Sequence, residues 1–128
     1  MTLDHINESA ENYLETILVL SKRLPAVRSI DIVHELGFKK SSVSVAMKNL
    51  RTNGYIEMDE DGHITLLEQG YQIAAKMYER HTLMTQWLIR LGVDPVVAAE
   101  DACKIEHVIS ESTFDALKQH MHQYAKEQ

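Results

Sequence analysis

Apolar positions return with a helical period through most of the chain. In ESAENYLETILVLSK, residues 8–22, the side chains of Tyr13, Leu14, Ile17, Leu18 and Val19 fall on one broad face. Glu8 and Glu11 stand in the first turn, where acids suit the helix dipole, and Leu24-Pro25 ends the run. SIDIVHELG predicts a short helix from about Arg28 to Leu36, with Ile30, Val33 and His34 repeating on one side and Gly37 just past the end. FKKSSVSVAMKNLRTNG predicts another over residues 41–53, capped by Ser41 or Ser42 and closed by Gly54. Its apolar stripe is Val43, Ala46, Met47 and Leu50.

The period then changes. YIEM (55–58) and HITL (63–66) are short β-prone runs around DEDG, a hairpin signal with Gly62 at the turn. Two short helices joined by a tight turn and followed by a hairpin make a winged helix-turn-helix. LEQGYQIAAKMYERHTLMTQWLIRLG is helical to Gly92, as one helix or two, with Ile73, Met77, Leu83, Trp87 and Leu88 as apolar candidates. Asp94-Pro95 opens a further helix to about Ser110, with proline in its first turn. STFDALKQHMHQY closes the series through Phe114, Leu117 and Met121, while His120 and His122 read as solvated tail residues. The expected fold class is mainly α: a winged helix-turn-helix over residues 1–73, then a helical domain over residues 74–128.

Charge sharpens this division. The chain carries a net charge of −6, which alone argues against nucleic acid. Between Lys22 and Tyr55, however, seven basic residues face only Asp31 and Glu35, a local charge of +5 that leaves −11 on the remainder. A basic block inside an acidic protein is an electrostatic footprint for phosphate. Arg28, Lys39, Lys40, Ser41, Ser42, Ser44, Lys48, Asn49 and Arg51 are the candidates for contacting phosphates or base edges. The wing tip, Glu57-Met58-Asp59-Glu60-Asp61, is acidic and unsuited to gripping a phosphate backbone. There is no run of about 18 apolar residues for a membrane span, and MTLDHINESAENY lacks the basic and apolar regions of a signal peptide. With a single cysteine no disulfide framework is possible, and a reducing cytoplasm is the expected location.

That cysteine lies in CKIEH, where Cys103, Glu106 and His107 stand at i, i+3 and i+4 and would share one face of a helix. Thiolate, carboxylate and imidazole are common donors to transition metals. Taken alone, the spacing fits a buried thiol and a solvated Glu-His pair better than a site. His81, which interrupts the amphipathic run YERHTLMTQWL, and the i, i+3 pair Asn12 and Glu15 raise the metal reading, because packed helices could bring five or six donors together.

The order ENYLETI, helix-turn-helix, wing, ERHTLMTQWL and EDACKIEHVISES resembles the diphtheria toxin repressor family of metal-dependent regulators, which includes iron-dependent repressors and manganese transport regulators. The resemblance spans roughly residues 8–120, and ACKIEHVIS with His81 is its most specific part. It implies a homodimeric repressor that binds a divalent metal and then double-stranded palindromic operator DNA, controlling metal-ion homeostasis. Carried over by position, it gives Asn12, Glu15, His81, Cys103, Glu106 and His107 as the metal shell. Iron-type members have Met at the place of Asn12 and Cys at that of Cys103, whereas manganese-type members have Asp and Glu there and a Glu matching Glu15. The implied metal is therefore Fe(2+) or Mn(2+), one or two per subunit. The chain ends at Gln128, so the SH3-like domain of iron-type relatives is expected to be absent. Thr85 and Ala99 stand where the family places ancillary ligands, and neither is a good donor.

The resemblance also implies a mechanism, in which metal joins the first helix to the dimerisation helices and sets the spacing of two recognition helices for major grooves about 34 Å apart. The expected dimer surface lies near Trp87, Leu88, Leu91, Val108, Phe114 and Leu117. Two rivals make different predictions. A winged-helix regulator sensing redox state through Cys103 would lose its response in Cys103→Ser but not in Glu106→Gln. An enzyme, with Glu106 as base in a small metallohydrolase, lacks support, since the chain has no H-E-x-x-H motif and no Gly-rich substrate loop.

Overall fold

The computed structural model describes residues 7–126, which form six helices and one two-stranded hairpin. Two compact units divide the chain inside the fourth helix, between Lys76 and Met77.

In the first unit, α1 (Glu8–Arg23) begins at Asn7, whose side-chain oxygen accepts the Ala10 N–H at 2.8 Å. Tyr13, Leu14, Ile17 and Leu18 are buried as the periodicity predicts, and Leu20 joins them. Helix α2 (Ser29–Leu36) starts after Arg28, whose backbone N–H donates to the Asp31 carboxylate at 2.9 Å. Its inward face differs from the expected one. Ile32 is wholly buried, whereas Ile30 is 37% exposed. In a two-turn helix the inward stripe here is Ser29, Ile32, Val33 and Leu36, so Ile30 and His34 turn outward. Gly37 ends α2 in the left-handed region with φ 69°, a conformation that costs a Cβ-bearing residue more than glycine.

Helix α3 (Lys40–Thr52) buries Val43, Met47 and Leu50. It begins earlier than the sequence pattern suggests. The N-cap is Lys39, without a side-chain cap bond, and Ser41 and Ser42 sit within the first turn, exposed. Asn53 is the C-cap, and Gly54 follows with φ 78°. Strands β1 (Ile56–Met58) and β2 (Ile64–Leu66) pair antiparallel with Ile56 opposite Leu66 and Met58 opposite Ile64. Ile56 and Ile64 point to the core, while Glu57 and Thr65 are exposed. The Ile64 N–H also donates to the Val27 carbonyl at 2.8 Å, which ties the wing to the segment before α2.

Helix α4 (Glu68–Arg90) is one continuous helix. Gly70 near its start packs so closely that an added Cβ would run into the backbone carbonyl of Tyr55. Along α4 the buried positions are Gly70, Ala74, Met77, Arg80 and Met84, a register that puts an arginine in a core row.

The second unit continues α4 into α5 (Pro95–Ile105) and α6 (Glu111–Lys126). Asp94 caps α5 by accepting from the Val96 N–H at 3.0 Å, with Pro95 in the first turn. Ala98, Ala102, Phe114 and Met121 are buried. Helix α5 stops at Ile105 rather than near Ser110, so Glu106 is its C-cap and His107 lies in the following turn. His120 and His122 are exposed on α6, not on a tail beyond it. No helix among the described residues is long and apolar enough to cross a membrane.

Candidate metal centre and nucleic-acid interface

The second unit concentrates polar groups where α5 gives way to the turn before α6. Glu106 is wholly buried, although carboxylates are rarely so unless paired or ligating. Its Oε1 lies 2.9 Å from His81 Nδ1, and its Oε2 lies 3.6 Å from His107 Nε2. One carboxylate is thus flanked by imidazoles from α4 and from the turn. Carboxylate and imidazole together suit a divalent transition ion, and the ring nitrogen facing the carboxylate can ligate once its proton has left. The donor set fits the metal that the sequence implies.

Arg80, which sequence reading passed over, supports this turn from below. Its Nη1 donates to the carbonyls of Glu106 at 2.9 Å and Ile109 at 3.1 Å, and its guanidinium lies 5.3 Å from the centre of the Phe114 ring. Arg80 is 4% exposed, and it satisfies two carbonyls of the turn between α5 and α6 while lying against Phe114 of α6. The signal in the sequence was its register: Arg80 follows Met77 by three residues on the apolar stripe of α4. Phe114 is consequently buried at 4% and unavailable to a dimer surface; Leu91 and Val108, in contrast, are 64% and 68% exposed.

Cys103 is exposed on α5. The regular helix ends at Ile105, but Glu106 keeps helical backbone angles and its N–H donates to the Ala102 carbonyl at 2.9 Å, so Cys103 and Glu106 stand one helical turn apart. In the first unit, Asn12 and Glu15 occupy neighbouring turns of α1, and Glu15 is 8% exposed among apolar neighbours along the helix. Thr85 Oγ1 on α4 is buried without a hydrogen-bond partner among the described residues.

The basic block lies in α2, α3 and their flanks. Lys39, Lys40, Ser41, Ser42, Ser44, Lys48, Asn49 and Arg51 are all exposed, and Ser41, Ser42 and Asn49 border an open trough along α3. Arg28 is exposed as well, and its Nη2 approaches His63 Nε2 on the wing at 3.2 Å. The acidity of the wing is partly structural. Asp59 accepts the backbone N–H groups of Asp61 at 2.9 Å and His63 at 2.8 Å, and so closes the hairpin turn. The His63 backbone N–H holds the Asp59 carboxyl below its ordinary pKa.

Residues 5–64 match the iron dependent repressor N-terminal DNA binding domain, and residues 67–127 match the iron dependent repressor metal binding and dimerisation domain. The chain belongs to the iron-dependent repressor family. Its members are transcriptional regulators. The transcriptional regulator MntR of Escherichia coli is 34% identical over 114 residues, which cover 89% of this chain and 74% of that protein. An uncharacterised HTH-type transcriptional regulator of Methanocaldococcus jannaschii is 31% identical, over 93% of this chain and 97% of that protein. Among solved structures, the manganese regulator SloR superposes with a TM-score of 0.79 at 24% identity, covering 92% of this chain. The chain spans 54% of the SloR chain, about half its length. The family architecture, a winged-helix DNA-binding domain followed by a helical metal-binding and dimerisation domain, is the one described here.

Proposed function

We propose that this protein is a metal-responsive repressor of metal-ion homeostasis genes, acting in the cytoplasm as a homodimer on palindromic operator DNA. The observation that carries the reading is the buried Glu106 carboxylate with His81 Nδ1 at 2.9 Å, inside the domain matched as metal-binding. Asn12 and Glu15 from α1 would complete the shell with His81, Glu106, His107 and Cys103. When bound, Fe(2+) or Mn(2+) supplies positive charge that offsets the two carboxylates and a thiolate. Helix α1 leads directly into α2 and α3, so holding α1 in place would fix the spacing of the two recognition helices in the dimer. Without that charge, Glu15 and Glu106 would disfavour the DNA-binding arrangement.

Operator binding, followed by fluorescence anisotropy across Mn(2+), Fe(2+), Co(2+) and Zn(2+), tests this. Glu106→Gln is expected to need at least about tenfold more metal for the same DNA affinity. Operator affinity that ignores metal in the wild type would sink the proposal. Asn12→Asp measured alongside is expected to favour manganese, because a carboxylate is a harder and more strongly charged donor than an amide oxygen.

A further inference from the structure

Helix α3 carries one residue that neither the core nor a charged surface accounts for. Val43, Met47 and Leu50 form its buried stripe, at 0%, 1% and 4% exposure. At 100° per residue, Val45 points almost directly away from that stripe, and it is 61% exposed. A β-branched residue at such a position adds nothing to the core and lowers helix propensity. Its neighbours one turn away on the exposed face are Ser41, Ser42, Lys48 and Asn49. Val45 borders the same open trough as Ser41, Ser42 and Asn49, whose far side is Ser9 and Tyr13 of α1.

We propose that Val45 is a base-reading residue of α3, making an apolar contact with the 5-methyl group of a thymine in the operator major groove. The proposal rests on the reading that α3 enters that groove. The floor of the major groove presents hydrogen-bonding edges and one apolar feature, the thymine methyl. A valine at the centre of a face otherwise made of hydroxyls, an amide and an ammonium group matches that feature of the base edges. Asn49, one turn further along the same face, suits the N6 and N7 edge of an adenine. Together they select A·T pairs near the middle of each half-site. The serines and lysines around them hold the helix in register on phosphates.

The experiment begins with duplexes selected from a randomised library by the full-length protein saturated with Mn(2+). Each thymine of the selected half-site is then replaced by deoxyuridine, which removes only the methyl. Binding is compared for wild type, Val45→Ala and the near-isosteric Val45→Thr, with helicity checked by circular dichroism. At one or two thymines, uracil is expected to weaken the wild type about fourfold, the value of one buried methyl group. Val45→Ala should bind thymine and uracil duplexes alike while keeping the salt dependence of the wild type. Equal uracil losses in wild type and Val45→Ala, or no loss at any thymine, overturn the assignment of Val45 and leave α3 in the groove. Selection that yields no preferred sequence overturns both. If Val45 instead serves a protein partner, Val45→Ala leaves the selected sequence and the uracil profile unchanged, which also overturns it.

Discussion

Arg80 shows what a single buried charge can do in a small domain. It reaches two carbonyls of the turn between α5 and α6 and lies against Phe114 of α6, so its removal exposes three groups to an unfilled space. Arg80→Ala is expected to cost about 3 kcal/mol of stability, the range for losing charged hydrogen bonds and leaving their partners unsatisfied. Urea denaturation measures this, and Arg80→Lys should recover part of it. Arg80 escaped sequence reading because an arginine in an amphipathic helix is normally taken as solvated surface. Glu106 was recognised, but its burial was not predictable from CKIEH. The carboxylate is wholly buried, whereas a Glu-His pair on a helix ordinarily reads as solvated, and no glycine or proline marks the end of α5 at Ile105.

Elements were legible in proportion to their length. Helix α1 and the long α4 announce themselves by apolar repeats over several turns. The two-turn α2 does not, since a rotation of one position exchanges Ile30 for Ile32 as the inward residue with little change in pattern. The start of α3 was displaced for another reason: serines are good caps, yet here Lys39 takes the cap position and leaves Ser41 and Ser42 exposed in the first turn. In α4, Gly70 is required by contact rather than by φ. Gly70→Ala is expected to destabilise the winged unit by about 1–3 kcal/mol, the usual cost of overpacking, because the obstacle is the backbone carbonyl of Tyr55 and cannot rotate aside. Thermal denaturation checks it. In the hairpin, Asp59 has a folded pKa below its unfolded value. The stabilisation it gives the wing is therefore present above the unfolded pKa, about 3.9, and is lost as pH falls through the folded value. NMR titration should find the Asp59 midpoint below that of a model peptide, and Asp59→Asn should flatten the pH response of the hairpin amides.

On the scale of the molecule, the N-terminal part matches a DNA-binding domain and the C-terminal part a metal-binding and dimerisation domain. What the sequence could not supply was the arrangement of donors in three dimensions. Spacing put Cys103 and Glu106 one helical turn apart, but it could not say that the carboxylate is wholly buried beside His81. The exposed bases of α3 have a kinetic consequence in a chain of net charge −6. DNA is drawn to one small face and repelled by most of the rest, so few orientations of approach lead to capture, and those few are accelerated. Stopped-flow association with the operator should slow by about tenfold or more between about 50 mM and about 200 mM salt, while dissociation changes less. Lys48→Ala should remove part of that slope. The acidic remainder thus acts as a filter on encounters, keeping the protein off polyanions that it meets the wrong way round.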